Sequence, residues 1–299
     1  MQAGMSGVCL VGDGKERCLL MDTRRLVQWL SAIISNAYFK GFASLSIYQG
    51  VGKRVCVPVL NCYSCPGALG SCPVGSMQSL LGGYKQQFSF YVAGLLTVVG
   101  AASGRLACGW LCPFGLVQEL LARISRRKLH LPALAKKLKY LVLLLTIVLP
   151  VLWVNQAGLG SPYFCKFLCP AGTLEAGLPL GLGRPELRAL LGSLFAWKAA
   201  VLFLILFLSI IYFRPFCRSL CPLGAYYALF NRVSWWRLEI NPEDCIDCGC
   251  CSQVCPVEIN VREDPNSPEC IRCLRCRDNC PGRAISFGRR DEALLARME

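Results

Sequence analysis

The stretch GRLACGWLCPFGLVQEL, residues 104–120, places Cys108 and Cys112 directly behind an apolar run and follows the second cysteine with Pro113 and Gly115. The same Cys-x-x-x-Cys-Pro-x-Gly pattern recurs at Cys165, Cys169, Pro170 and Gly172, and again at Cys217, Cys221, Pro222 and Gly224. A variant, NCYSCPGALGSCPVGS at 61–76, carries Cys62, Cys65 and Cys72 and shares the Cys-Pro-x-Gly ending. Thiolates are soft ligands for iron, and two thiolates on one turn can face one cubane. Proline after the last cysteine bends the chain around such a group, and glycine two residues on permits close backbone approach.

Outward from these groups lie four apolar segments, Leu26–Tyr48, Phe88–Leu106, Leu138–Val154 and Phe195–Phe213. A hydrocarbon core of ~30 Å calls for ~20 apolar residues of helix. The chain is 54% hydrophobic with a mean hydropathy of +0.45, which is a membrane composition. Ser31, Ser35, Asn36 and Lys40 make the first segment the weakest, and a surface amphipathic helix is its other reading. It lacks the short core and cleavage site of a signal peptide. Lysine and arginine crowd before the first segment, between the second and third, and after the fourth. The expectation is therefore a multi-pass protein of the cell (plasma) membrane with both termini in the cytoplasm. Most of the net charge of +14 is accounted for this way, with lipid as the partner and no nucleic acid required.

The order segment, cysteine group, segment, cysteine group occurs twice. We read a tandem repeat, 26–128 and 138–238, between an N-terminal segment 1–25 and a tail 239–299. On this topology Cys108, Cys112, Cys217 and Cys221 share the inner face. Cys62, Cys65, Cys72, Cys165 and Cys169 share the outer face, with one or two of them in excess of one cubane's need. Cys62 and Cys65 are either ligands or, at Cys-x-x-Cys spacing, a redox dithiol. Cys56 is a further outer thiol that could complete a second cluster there.

The tail holds two full C-x2-C-x2-C-x3-C-P runs, from Cys245 and from Cys270. In two-cluster ferredoxins the fourth cysteine of each run serves the other cluster. That pattern assigns Cys245, Cys248, Cys251 and Cys280 to one cluster and Cys270, Cys273, Cys276 and Cys255 to the other, leaving Cys250 out of register. The expected fold is thus a four-helix α-helical membrane protein with an α+β ferredoxin-like tail and four 4Fe–4S clusters. His130 is the sole histidine and no Cys-x-x-Cys-His occurs, so haem is not expected. Asn36 and Lys40 could line a quinone pocket, Glu119 and Glu175 could relay protons, and His130 reads as solvated. Trp110, Trp153, Trp235 and Trp236 read as interfacial aromatics. Cys9 and Cys18 belong to no motif.

GRLACGWLCPFGLVQEL, RPFCRSLCPLGA (214–225) and the doubled tail run resemble the membrane polyferredoxins of the NapH type. Relatives in that family accompany periplasmic nitrate reductase, nitrous oxide reductase and oxidase assembly. The outer groups NCYSCPGALGSCPVGS and SPYFCKFLCPAGTLE depart from the simplest pattern of the family. The resemblance implies an electron-transfer component rather than an autonomous enzyme. Its donor would be cytoplasmic, such as ferredoxin or flavodoxin, or a quinol, and its acceptor an extracytoplasmic redox partner. A redox sensor, a metal-reducing assembly factor and an outer-face disulfide reductase are the alternatives. The topology has a direct check: a cysteine introduced into 178–192 should be labelled from outside and one introduced into 123–137 should not, and the reverse pattern overturns the orientation.

Overall fold

A computed structural model of the chain describes residues 14–83, 87–125, 128–156, 158–188 and 191–289, with side chains from Thr23 onward. Cys9 lies outside the described residues, as does the side chain of Cys18. Four long helices frame the first 211 residues: α1 (Gly14–Ser35), α2 (Phe90–Ser103), α3 (Ala133–Leu152) and α4 (Ser193–Ile211). Only α4, with a mean hydropathy of 2.5, is long and apolar enough to cross a membrane by length and composition. The 14 residues of α2 rise about 21 Å, short of a bilayer core. α3 carries Lys136, Lys137 and Lys139 in its first two turns.

The first apolar segment does not form one helix. α1 starts earlier than the sequence suggests and ends at Ser35, and a short helix, Phe39–Ser44, follows after a break. Asn36 makes the break: its side chain donates back to Ala32 O at 3.0 Å and across to Asn61 Oδ1 at 3.2 Å, which competes with continued helix.

The helices are apolar outward, and α1 and α3 also turn charged or polar side chains inward. On α1, Leu26, Trp29, Leu30, Ile33 and Ile34 are exposed while Arg24 and Gln28 are buried. Arg24 and Gln28 donate to Gly109 O at 3.1 and 2.8 Å, and Ser31 donates to Leu111 O at 2.9 Å. On α3, Leu134, Leu138, Leu141 and Leu144 face out while Lys139, Val142, Thr146 and Pro150 face in. On α4, Phe203, Leu204 and Phe207 face out while Leu202, Ile205 and Ser209 face in.

Inside the frame, each cysteine group ends in the same local structure. Cys72, Cys112, Cys169 and Cys221 are N-caps in extended conformation, with φ between −70 and −77°, each followed by a helix that begins with proline. Proline suits that position because the first helical N–H has no intrahelical partner. The glycine then turns its N–H back to the thiol, as in Gly224 N–H to Cys221 Sγ at 3.3 Å. The result is two proline-started helices with their N-termini converging on each side of the interior.

The tail closes as a two-stranded antiparallel sheet, β1 (Trp236–Ile240) against β2 (Ile285–Arg289), with both cysteine runs between the strands. It packs on the repeats through buried polar contacts. Arg105 donates to Pro268 O at 2.9 Å, Asn231 to Cys270 O at 2.7 Å, and Arg218 to Val257 O at 2.9 Å. Trp110, read from sequence as an interfacial aromatic, is instead half-buried here and donates to Arg272 O at 2.9 Å. Gly109 permits this approach, since a Cβ on it would lie 2.2 Å from Ile271 O. By contrast, a Cβ on Gly94, inside α2, would meet nothing within 4 Å. Gly109→Ala should therefore lower the apparent Tm by an overpacking cost of about 1–3 kcal/mol. Gly94→Ala should raise stability by up to about 1 kcal/mol. Thermal unfolding of the two variants side by side checks the docking.

Candidate functional site: four cysteine nests

The described residues bring cysteines together in four cavities, each lined by four of them. Cys245, Cys248, Cys251 and Cys280 line one of about 220 Å³ in the tail, and Cys255, Cys270, Cys273 and Cys276 line a second, tighter one. Cys108, Cys112, Cys217 and Cys221 line a closed cavity between the repeats. Cys62, Cys72, Cys165 and Cys169 line the largest, about 800 Å³. Among the described residues no three Cys, His or acidic groups lie close enough to share a single metal ion. Each quartet surrounds a void, which is the arrangement a cubane needs and a zinc site does not.

Other cysteines turn away. Cys65 is buried, lines no cavity and points its thiol at Asn36 Oδ1, 3.4 Å away. Asn36 thus secures the loop rather than lining a ligand pocket. Cys56 is buried with its thiol on Ser76 Oγ at 3.7 Å, and Cys250 is buried and lines neither tail nest. Burial pushes the Cys62 thiol up to about 12, the opposite of what a reactive dithiol requires.

The nest between the repeats has a charge structure that the cysteine spacing does not disclose. Arg105 and Arg214 each stand three residues before the first cysteine of a group, and both are fully buried. Each reaches into the other repeat: Arg105 donates to Cys217 O at 3.0 Å and Arg214 to Cys108 O at 2.5 Å. The pattern glycines make room for them. A Cβ on Gly115 would sit 3.1 Å from the Arg214 guanidinium, and one on Gly224 would sit 3.4 Å from that of Arg105. Arg214 holds a left-handed backbone, φ 48°, a cost sustained only where surrounding contacts enforce it.

Glu119 joins this network. It pairs with Arg24 at 2.7 Å and Arg214 at 2.9 Å, and those guanidiniums hold its carboxyl below the usual range against the opposing effect of burial. It is therefore committed to an ion pair and unsuited to relaying protons. Gln118, fully buried, donates to Cys217 Sγ at 3.0 Å and accepts from Phe216 N–H at 3.2 Å. Lys139 pairs with Glu269, which also lies 3.7 Å from Arg105. Four buried cations, Arg24, Arg105, Lys139 and Arg214, thus face two carboxylates around four thiols. A cubane held by four thiolates carries a negative charge of about two, so the residues present fit it in charge as well as ligand type. Several cations counted in the sequence as topology signals, Arg24, Lys53, Lys139, Arg214 and Arg218, are buried structural groups.

The fourth nest is different. Arg105 and Arg214 act on Cys108 and Cys217, whereas the charged groups nearest Cys62 and Cys165 are Glu175 and Lys198. Lys198 is in the wall of this nest, and the half-buried Glu175 accepts from Cys62 N–H at 2.6 Å. Burial raises the Glu175 carboxyl to about 7. Leu180, Leu187, Leu191 and Phe195 make much of the remaining wall apolar. His130 is 87% exposed, as a solvated histidine would be, with Glu258 at 3.4 Å.

Comparison with known proteins agrees with this chemistry. A family model described as a 4Fe-4S binding domain matches residues 86–132, 139–178 and 194–240, and each segment contains one Cys-x-x-x-Cys-Pro group. A second model, also a 4Fe-4S binding domain, matches 238–259. An uncharacterized protein of Methanocaldococcus jannaschii is 31% identical over 64% of this chain and 76% of its own length. The ferredoxin-type protein NapH of Haemophilus influenzae is 28% identical over 65% and 69%, respectively. The putative electron transport protein YccM of Escherichia coli is 31% identical over 58% of this chain and 48% of its own length. No solved structure matches the chain. Fold, nests and relatives together define an iron–sulfur electron-transfer protein of the ferredoxin type. The chain belongs to the NapH-type polyferredoxin family.

The ion-pair network should be severe to break. Glu119→Ala leaves Arg24 and Arg214 buried without their carboxylate, at a cost of about 3–5 kcal/mol. Glu119→Asp should recover part of it. The apparent Tm of detergent-solubilised protein reads the difference, and a Glu119→Ala variant as stable as the parent would remove the network from the fold's support.

Proposed function

We propose that the chain is a multi-pass electron conduit of the plasma membrane, both termini cytoplasmic, with four 4Fe–4S clusters in the four nests. Electrons pass between a cytoplasmic donor such as ferredoxin or flavodoxin, or a membrane quinol, and an extracytoplasmic acceptor. One observation carries the reading: neighbouring nests share their walls. Leu60 lines both the nest of Cys108 and the nest of Cys62. Ile271 lines the second tail nest and lies against Gly109, beside Cys108. The row runs from tail to repeats to the opposite side. The outward apolar faces of α1, α3 and α4 favour lipid around the repeats, since such faces would be costly in water.

The large apolar cavity beside Cys62 suits a redox partner's headgroup at the far end of the row, a quinol ring being of that chemistry. A redox sensor or metal-reducing assembly factor would use the same nests, and nothing in their geometry calls for it. The disulfide-reductase alternative is disfavoured, because Cys65 faces Asn36 while Cys62 faces the nest.

Iron and sulfide quantitation on anaerobically purified protein should give about sixteen of each per chain. About eight would mean that the repeats hold no clusters. Cys108→Ala and Cys217→Ala should remove the same EPR signal and spare the tail signals. Loss of two different signals would sink the assignment of these residues to one cluster. Cys65→Ser should retain full iron, whereas Cys62→Ser should not.

A further inference from the structure

A second charged cavity, about 390 Å³, lies between α1, the segment after Leu121 and the tail, and shares Cys255 and Pro256 with the wall of the second tail nest. Arg25 of α1, Arg123 and Lys128 of the connecting segment, and Arg275 of the tail line it. Two acids also reach its wall, and both are engaged elsewhere. Glu119 pairs with Arg24 and Arg214, and Glu258 with Arg218, Lys136 and His130. Among the described residues Arg25, Arg123 and Arg275 form no ion pair; Arg275 Nε, like the Nε of Arg105, Arg214, Arg218 and Arg272, is buried with no hydrogen-bond partner. Phe213 holds the Arg275 guanidinium in place, its ring centroid 5.8 Å away. The cations oppose one another: besides burial, Arg123 and Arg275 depress the Arg25 guanidinium. Glu119 offsets part of this charge, but three guanidiniums that make no ion pair of their own still lower their mutual repulsion when an anion enters.

We propose that this cavity binds a phosphate oxyanion. Guanidinium forks match phosphate bidentately, and a lysine adds a point charge. The cavity lies where α4 ends. Lys128 Nζ donates to Ile210 O at 2.5 Å, and Phe213 is in the wall. On the membrane reading above, on which the lipid source alone depends, this is headgroup level. Leu26 and Ile124, next in sequence to Arg25 and Arg123, are exposed apolar groups suited to acyl chains. The shared chemistry is phosphate, carried by an anionic phospholipid or free in solution.

The test uses delipidated holoprotein in neutral detergent. Native mass spectrometry and thermal shift are recorded with phosphatidylglycerol, phosphatidylcholine, and inorganic phosphate against chloride at matched ionic strength. Phosphatidylglycerol should bind at least tenfold more tightly than phosphatidylcholine, and Arg25→Gln/Arg123→Gln should abolish that preference with iron content unchanged. Displacement of the lipid by inorganic phosphate at millimolar concentration would identify a free anion as an alternative source. Lys128→Gln serves as a milder second variant should the double variant lose iron, and it should weaken the preference. Equal binding of both lipids with no effect of phosphate overturns the proposal, as does an unchanged preference in the variants. No arm reads electron transfer, so failure here is separable from failure of the conduit.

Discussion

The reciprocal grip of two arginines holds the Cys108 and Cys217 groups together. Arg105 and Arg214 stand at equivalent places in the two halves, and each is bound by the backbone of the other half's cysteine group. A guanidinium buried in an apolar interior is costly unless its donors and its charge are both answered. Here carbonyls of the cysteine turns answer terminal N–H donors, while each Nε stays without a partner among the described residues; Glu119, Glu269 and the neighbouring sulfurs answer the charge. The pattern glycines are part of the same device, since any side chain on Gly115 or Gly224 would crowd the guanidinium that crosses over.

This grip gives the two repeat nests opposite electrostatic characters. The nest of Cys108 is closed, flanked by positive charge and entered by two helix N-termini. The nest of Cys62 is open on an apolar cavity and has Glu175 as its nearest carboxylate. Fixed charge and solvent access are two of the factors that set iron–sulfur potentials. Two sites built from the same motif are thus made unequal by what lies three residues before the first cysteine: Arg105 and Arg214 in one case, Val59 and Pro162 in the other.

Much of this was legible in the chain, and the rest was hidden for definite reasons. The cysteine groups and the doubled tail run are short patterns in which spacing alone carries the chemistry. Charge is harder to read, because an arginine at a lipid interface and one in a protein interior look alike in sequence. Arg214 and Lys139 were counted with the basic loops, although R-x2-C in both inner groups was a signal for the former. The first apolar segment looked weak because of Ser31 and Asn36 among others, and those two side chains point inward, bonding Leu111 O and Asn61 Oδ1. Cys65 was indistinguishable from Cys62 by spacing. What separates them is Asn36 and its bond to Asn61, a contact between distant parts of the chain.

Pro58, Val59 and Leu60 form a lid over the nest of Cys108, held down by Tyr227 through Pro58 O at 2.9 Å. Two residues later the same irregular segment delivers Cys62 to the neighbouring nest. The lid and that cysteine cannot move independently, and Asn61 between them is fully buried. One short stretch of chain therefore serves both nests, and a substitution at Asn61 would be felt in the two of them at once.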